Sequence, residues 1–228
     1  MHLNLLRAAA SGDLASVKDL LKRGARTDVI DGQGRTCLFK AVNARHKAVV
    51  EELLRFEADV NIPNNEGWSP LHDATSEGLT EIAAMLIGAG ANVHLRDKKG
   101  WPALHWAAYR GFGSIAEHII RAGADPNCVS WTDGWTALHF ATCWRHHDVI
   151  AVLIKGGADI NVPSRSRKTP LDVAEDRETL HGLPDEGIVR LLKDCGGRND
   201  QLMNNHDSYN NTWLPIREGV GDAEVVPF

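Results

Sequence analysis

The sequence predicts an all-helical solenoid, built from two-helix units stacked in a row. Two observations carry that prediction. Leu38, Leu71, Leu104, Leu138 and Leu171 lie 33, 33, 34 and 33 residues apart, and Ala41, Ala74, Ala107, Ala141 and Ala174 keep the same steps. A paired apolar position recurs in the same rhythm, at Leu20–Leu21, Leu53–Leu54, Leu86–Ile87, Ile119–Ile120 and Leu153–Ile154. A unit with two short apolar stripes cannot bury them alone, so it must stack on its neighbours.

Residues 64–94 show the unit at its most regular. Gly67 lies in a polar run and marks a turn. Ser69 can cap a helix through its hydroxyl, and Pro70 suits the first helical position, where no N–H is needed. Leu71 and Ala74 give that helix an apolar stripe, and Gly78 stops it. Ile82, Met85 and Leu86 mark a second helix, ended by Gly90 as a left-handed cap. The stretches SPLHDA at 69–74, ALHWAA at 103–108, TALHFA at 136–141 and TPLDVA at 169–174, with GANVH, GADPN and GADIN closing units, resemble the ankyrin signature T-P-L-H-x-A and its G-A-D-V-N ending. The resemblance covers about residues 3–197. It implies an all-α ankyrin-repeat solenoid of six helix-turn-helix units with β-turn fingers. It implies little about function, which sits in the variable surface positions.

The units are expected at about residues 1–30, 31–63, 64–96, 97–129, 130–163 and 164–197, followed by an irregular or disordered tail at 198–228. The first begins directly at a helix, with Leu5, Leu6 and Ala9 inward, Asp13 as the cap of the second helix, and Val17, Leu20 and Leu21 along its stripe. The second departs from the family pattern: Phe39 replaces the usual His, Arg45 a Gly and Glu57 the next Gly. A left-handed Arg45 costs roughly 1 kcal/mol relative to Gly, so this unit is expected to be weak. In the fourth, Pro102 stands where a capping Thr is usual, and His105 loses the hydroxyl partner that the family's Thr supplies. One extra residue in Cys128–Asp133 explains the step of 34 and brings Trp131 near a fingertip. The fifth has Arg145 in a Gly position. The sixth opens on Arg165, Arg167 and Lys168, has Asp172 in place of His, and carries about five extra residues around Asp176–Gly182. It is the other unit expected to be weak. Pro184, Asp185 and Glu186 carry the signals of a helix start.

Composition fits a soluble repeat protein. Net charge is −5, with no global reason to expect nucleic acid or a membrane as partner. Cys37, Cys128, Cys143 and Cys195 have no CxxC spacing and read as reduced thiols of a cytoplasmic or nuclear protein. The opening MHLNLLRAAASGD is too short for a membrane span and does not read as a signal peptide. A monomer is expected.

No sequence pattern points to an enzyme, a cofactor or a metal. There is no GxSxG, HExxH or phosphate loop. His72, His105 and His139 recur with the unit, about 10 Å apart per stacking step, too far to share one ion. They are expected to hydrogen-bond the neighbouring turn. His139, Cys143, His146 and His147 are closer in sequence, but His139 is the inward repeat residue and His146–His147 start the next helix. Asp73 and Glu77, four apart, are expected on a solvated helix face.

The aromatic residues are the candidate partner-binding set. Trp68, Trp101 and Trp135 each follow a turn glycine, a place that the resemblance puts on the finger beside the concave groove. Trp106 and Phe140, with Asp73 as their counterpart, occupy the variable slot between His and Ala on the first helix. Tyr109, Arg110 and Trp144 lie at the end of that helix. A Trp after the turn glycine can also simply pack finger on finger. The whole set on one surface points instead to exposed aromatics that bind a protein or peptide on units three to five, with Trp101 and Trp106 at the centre. Fingertip charges alternate through Glu66, Lys98, Lys99, Asp133, Arg165 and Arg167, which suits a protein surface better than a polyphosphate. The alternative is a small-ligand receptor, in which Trp101 stacks a nucleotide base while Lys98, Lys99 and Arg110 meet its phosphates. A third possibility is a spacer with no groove ligand. At the C-terminus, Val226 and Phe228 resemble a PDZ-domain ligand.

Overall fold

The computed structural model describes residues 2–176 and 184–197. These form twelve helices: α1 (His2–Ser11), α2 (Leu14–Lys22), α3 (Cys37–Asn43), α4 (Lys47–Arg55), α5 (Pro70–Ser76), α6 (Thr80–Gly88), α7 (Ala103–Arg110), α8 (Gly113–Arg121), α9 (Ala137–Cys143), α10 (His147–Lys155), α11 (Pro170–Glu175) and α12 (Glu186–Asp194). Each odd-numbered helix packs on the even-numbered one that follows, and each pair packs on the next, so the expected solenoid is what forms. The tail at 198–228, with its PDZ-like end, and residues 177–183 of the inserted segment lie outside the described residues. α12 starts at Glu186, 39 residues after the start of α10, whereas α11 starts 33 after α9. The insertion is therefore six residues long, one more than the sequence count.

The repeating leucines are the core of the stack. Leu38, Leu71, Leu104, Leu138 and Leu171 are all at most 2% exposed. The alanines beside them let neighbouring helices approach. Of the paired residues on the second helices, Leu53, Leu86, Ile119 and Leu153 are fully buried, while their partners are only partly so. In the first pair the order reverses: Leu21 is buried and Leu20 is not. Each fully buried leucine contributes about 1.5–3 kcal/mol, which explains how helices of two turns hold together.

Helix starts follow the sequence signals. Asp13, Thr36, Ser69, Thr136, Thr169 and Asp185 each accept a backbone N–H at the first turn of their helix. At Ser69–His72 and Thr136–His139 the cap is reciprocal, because the backbone N–H of Ser69 or Thr136 donates to Nδ1 of the histidine. Nδ1 is then unprotonated, and Nε2–H donates onward to the next finger: His72 to the carbonyl of Trp101 at 3.1 Å, His139 to that of Lys168 at 3.0 Å. His105 makes the same onward bond to Trp135, at 2.9 Å. Its Nδ1, however, is buried with no partner, because Pro102 has neither a hydroxyl nor an N–H. Thr169 keeps its reciprocal box with Asp172 in the histidine position.

Left-handed positions are filled by more than glycine. Arg45, Glu57, Arg145 and Arg167 all have φ between 55° and 63°. Arg45 and Arg145 stand where Gly12, Gly78 and Gly111 stand in other units. At those glycines the next unit lays a ring on the backbone: a Cβ on Gly12, Gly78 or Gly111 would come within 2.7 Å of His46, Phe112 or His146. After Arg45 the equivalent position of the next unit is Leu79 rather than a ring, and the left-handed backbone there carries a side chain. Arg167 occupies the fingertip slot of Gly34, Gly67, Gly100 and Gly134, a substitution that its place in a basic run disguised.

Fingers are closed by an Asx-type turn and stacked by backbone bonds. Asn64 N–H donates to Trp68 O and Asp97 N–H to Trp101 O, and the side chains of Asn64 and Asp97 accept two further turn N–H groups each. Finger then bonds to finger: Asn65 to Gln33, Lys98 to Glu66, Trp131 to Lys99 and Arg165 to Asp133, at 2.9–3.2 Å. This continuous stack carries the variable side chains considered next.

Candidate functional site

The aromatic side chains meet as one row across units three to five. Ring centroids run Trp68–Trp106 at 4.7 Å, Trp106–Trp101 at 4.9 Å, Trp101–Phe140 at 4.4 Å and Phe140–Trp135 at 5.0 Å. Tyr109 bridges this row to Trp144, at 5.8 Å from Trp101 and 5.1 Å from Trp144. Tilted and edge-on contacts of this kind add about 0.5–1.5 kcal/mol each beyond burial. Trp135 also stacks on His139, with centroids 5.8 Å apart.

Exposure divides the set. Trp101 is only 8% exposed and Phe140 only 4%. The expectation that Trp101 presents an open indole is corrected. Its ring turns towards Phe140 of the next first helix, Trp106 covers it from its own unit, and the Lys99 ammonium lies over it at 5.1 Å. Its Nε1–H is buried with no acceptor among the described residues. Phe140, likewise expected in the open, is the ring Trp101 packs on. Trp68, Trp106, Tyr109, Trp135 and Trp144 are half-buried, and Arg110 is exposed. Trp106 is anchored as well: its Nε1–H donates to Asp97 Oδ2 at 3.1 Å, and Lys99 sits 5.4 Å above its ring.

Asp73 does not join the row. It is 6% exposed, which corrects the expectation of a solvated carboxylate beside Glu77. In a slot that holds an indole or a phenyl ring in units four and five, the short side chain stays down between helices. Asn43 of α3 donates to its Oδ1 at 3.2 Å, while Oδ2 is buried without a partner. Burial pushes its carboxyl up to about 6, with Glu77 adding to the rise. Glu77 itself is exposed and paired with Arg45 at 2.7 Å.

The histidines are engaged individually. His46 and His146 each meet a carbonyl one unit back, Ala10 and Tyr109, at 3.2 Å. His147 lies 3.1 Å from Asp185. With His139 bonded on both ring nitrogens, the 139–147 cluster points in separate directions. No group of three or more potential metal ligands converges among the described residues. Burial pushes His105 and His139 down to about 4 and lowers His72, which suits neutral structural imidazoles.

Trp131, expected near a fingertip, belongs beside this surface. It is 54% exposed and lies across the backbone of Gly100, where a Cβ would come within 2.3 Å of its ring. The Arg96 guanidinium stands 5.9 Å from the same ring. The extra residue at 128–133 was the available signal, since it lengthens this one finger.

No helix among the described residues is long and apolar enough to cross a membrane. A search of curated proteins finds no match to the chain. A family model for ankyrin repeats, three copies long, matches residues 5–97, 80–164 and 104–201. That match spans most of the sequence, paired helices recur throughout the described residues, and units three to five share the histidine-to-finger bond, so the chain belongs to the ankyrin-repeat family.

Proposed function

We propose that this chain is a non-enzymatic binding module that takes a partner protein or peptide on the fingers and first helices of units three to five. Ankyrin repeats are generally protein–protein interaction modules, and the finer reading rests on one observation. Trp68, Trp106, Tyr109 and Trp144 keep part of their rings open, in variable slots, beside the exposed Arg110. The inner faces of Trp106 and Tyr109 pack on the core, while the leucines and alanines already close the stack, so the area these rings leave open is not needed to bury it. Partly open aromatics with Arg are the residue types that dominate interface energetics. The nucleotide reading loses its base-stacking residue, because Trp101 is covered, and Lys98 is paired with Glu66 at 3.2 Å.

The test uses the outer end of the row, where truncation disturbs the stack least. Tyr109→Ala with Trp144→Ala should weaken affinity capture of partners by the full chain at least tenfold, the ~1.4 kcal/mol or more expected of an interface anchor. Melting should fall by only a few degrees. If capture is unchanged, the surface reading is wrong. Trp106→Ala is a poorer probe, since it also strips Asp97 of a buried donor.

A further inference from the structure

Taking the binding reading of this surface as its basis, we infer that the partner is an acidic peptide segment carrying an apolar side chain. The argument is charge complementarity. The chain is −5 overall, yet the carboxylates around this surface are already engaged. Glu66 pairs with Lys98, Glu77 with Arg45 and Asp176 with Lys168. Asp97 accepts the backbone N–H groups of Lys99 and Trp101 and the Trp106 indole. Asp133 accepts the Ser130 hydroxyl and the Trp135 N–H. The alternating fingertip charges of the sequence therefore do not survive folding as an alternating surface. Lys99, Arg110 and Arg165 are exposed and have no carboxylate partner among the described residues.

These three cations bracket the aromatic row. Lys99 stands over Trp101 and Trp106. Arg110 ends α7, where its Nε–H reaches the Ser76 carbonyl of the preceding unit at 3.0 Å. Arg165 is two fingers on from Lys99, linked through the finger of Trp131: Trp131 N–H bonds to Lys99 O, and Arg165 N–H to Asp133 O. Two stacking steps of ~10 Å each are spanned by about six extended residues. One short segment can thus set carboxylates against Lys99 and Arg165 and lay an apolar side chain on the exposed Trp131 or the open rings of Trp106 and Tyr109. Three singly spaced cations suit scattered carboxylates better than a nucleic acid backbone, whose charge is dense and continuous.

The test is selection from a phage-displayed random peptide library against the full chain, followed by titration of the selected peptides. Selected peptides should be acidic with an apolar residue, and their affinity should fall as salt rises. Lys99→Glu with Arg165→Glu should weaken them at least tenfold while melting falls by only a few degrees, the loss of the Lys99 contact with the Trp101 and Trp106 rings, and lysine in place of the peptide carboxylates should restore binding to that variant. Lys99→Gln with Arg165→Gln serves if the reversed charges disturb folding, with at least a threefold loss expected. Peptides with no acidic bias that still depend on Tyr109 and Trp144 would overturn the acidic partner and leave the binding surface standing. Peptides indifferent to Tyr109 and Trp144, or an empty selection, would overturn both. Displacement of the peptides by oligothymidylate at equal concentration would overturn the peptide in favour of single-stranded nucleic acid.

Discussion

Unit two finishes the finger-and-helix surface with charges and unit three adds a single ring, Trp68, whereas units four and five finish it with rings. In unit two, Asp31 lies 2.9 Å from Arg35 and 3.0 Å from Lys40, and Arg45 reaches forward to Glu77 of unit three. Burial alone would raise the Asp31 carboxyl, but hydrogen bonds from Arg35 and Lys40 outweigh it and hold the group well below the usual carboxylate range. In units four and five the same slots carry Trp101, Trp106, Trp135 and Phe140, and the nearby Lys99 and Arg110 find no carboxylate. The backbone is common to both halves. Charged slots saturate one another. Rings pack well and can hold a cation over their faces but do not neutralise it, so the aromatic half is left with both open faces and cations that no carboxylate meets.

The comparison can be broken most forcefully at Trp101. If its ring is as much core as Leu104, Trp101→Ala costs about 3–5 kcal/mol, as a buried leucine truncation does at the lower end of a similar range. Thermal or urea unfolding decides this, and a loss below ~1 kcal/mol would return Trp101 to the surface.

Acid should act on the buried histidines and on Asp73 in opposite senses. His105 and His139, with ordinary values near 6.5 and folded values of about 4, are held neutral by burial. Their contribution is whole above pH 6.5 and is lost as pH falls towards 4, on the order of 2 kcal/mol for each. Asp73 has the reverse sign. Its carboxyl rises from 3.8 to about 6, so the folded chain holds a proton that the unfolded chain releases between those values, and falling pH favours the fold. Asp73→Asn should therefore be more stable than the parent at pH 7, by about 1 kcal/mol or more, with the gap closing by pH 4. Melting curves across that range would contradict this if the gap did not change.

Smaller effects sharpen the comparison within single units. Pro102→Thr gives His105 Nδ1 both an N–H and a hydroxyl, as at Ser69 and Thr136. A gain of about 1 kcal/mol is expected, after allowing for the proline's restriction of the unfolded chain. No gain in melting temperature would mean that the orphaned nitrogen costs nothing. The smallest effect is Glu57→Gly, which relieves a left-handed side chain at φ 55°. It should add about 0.5–1 kcal/mol. Hydrogen exchange should register it as slower opening of α4, in the unit expected from its replaced glycines to open early. Equal protection of all units in the parent chain would refute that ordering.

Much of this was legible in the sequence because it is local and repeats. Leu104 meets the same surroundings as Leu71 and Leu138, so a period of 33 is enough to place it in the core. Ser69 and Thr136 cap within three residues of themselves, and Pro102 announces the missing partner of His105 before any fold is known. Arg45, Glu57 and Arg145 could be read as left-handed because their equivalents elsewhere are glycines. Arg167 follows the same rule, but its neighbours drew attention to charge rather than to backbone.

Tertiary structure alone decided which side chains stay open. Whether Trp101 faces solvent depends on what the next unit presents to it, and there it meets Phe140 while Lys99 folds back over its face. Asp73 is buried because a short side chain follows the slot of a large one. Lys98 is spent and Lys99 is not because Glu66, one finger away, reaches only the first. Such outcomes turn on the size and charge of neighbours about one repeat away in sequence, at variable positions. The repeating pattern determines that those neighbours meet, and only their packed geometry determines what remains exposed.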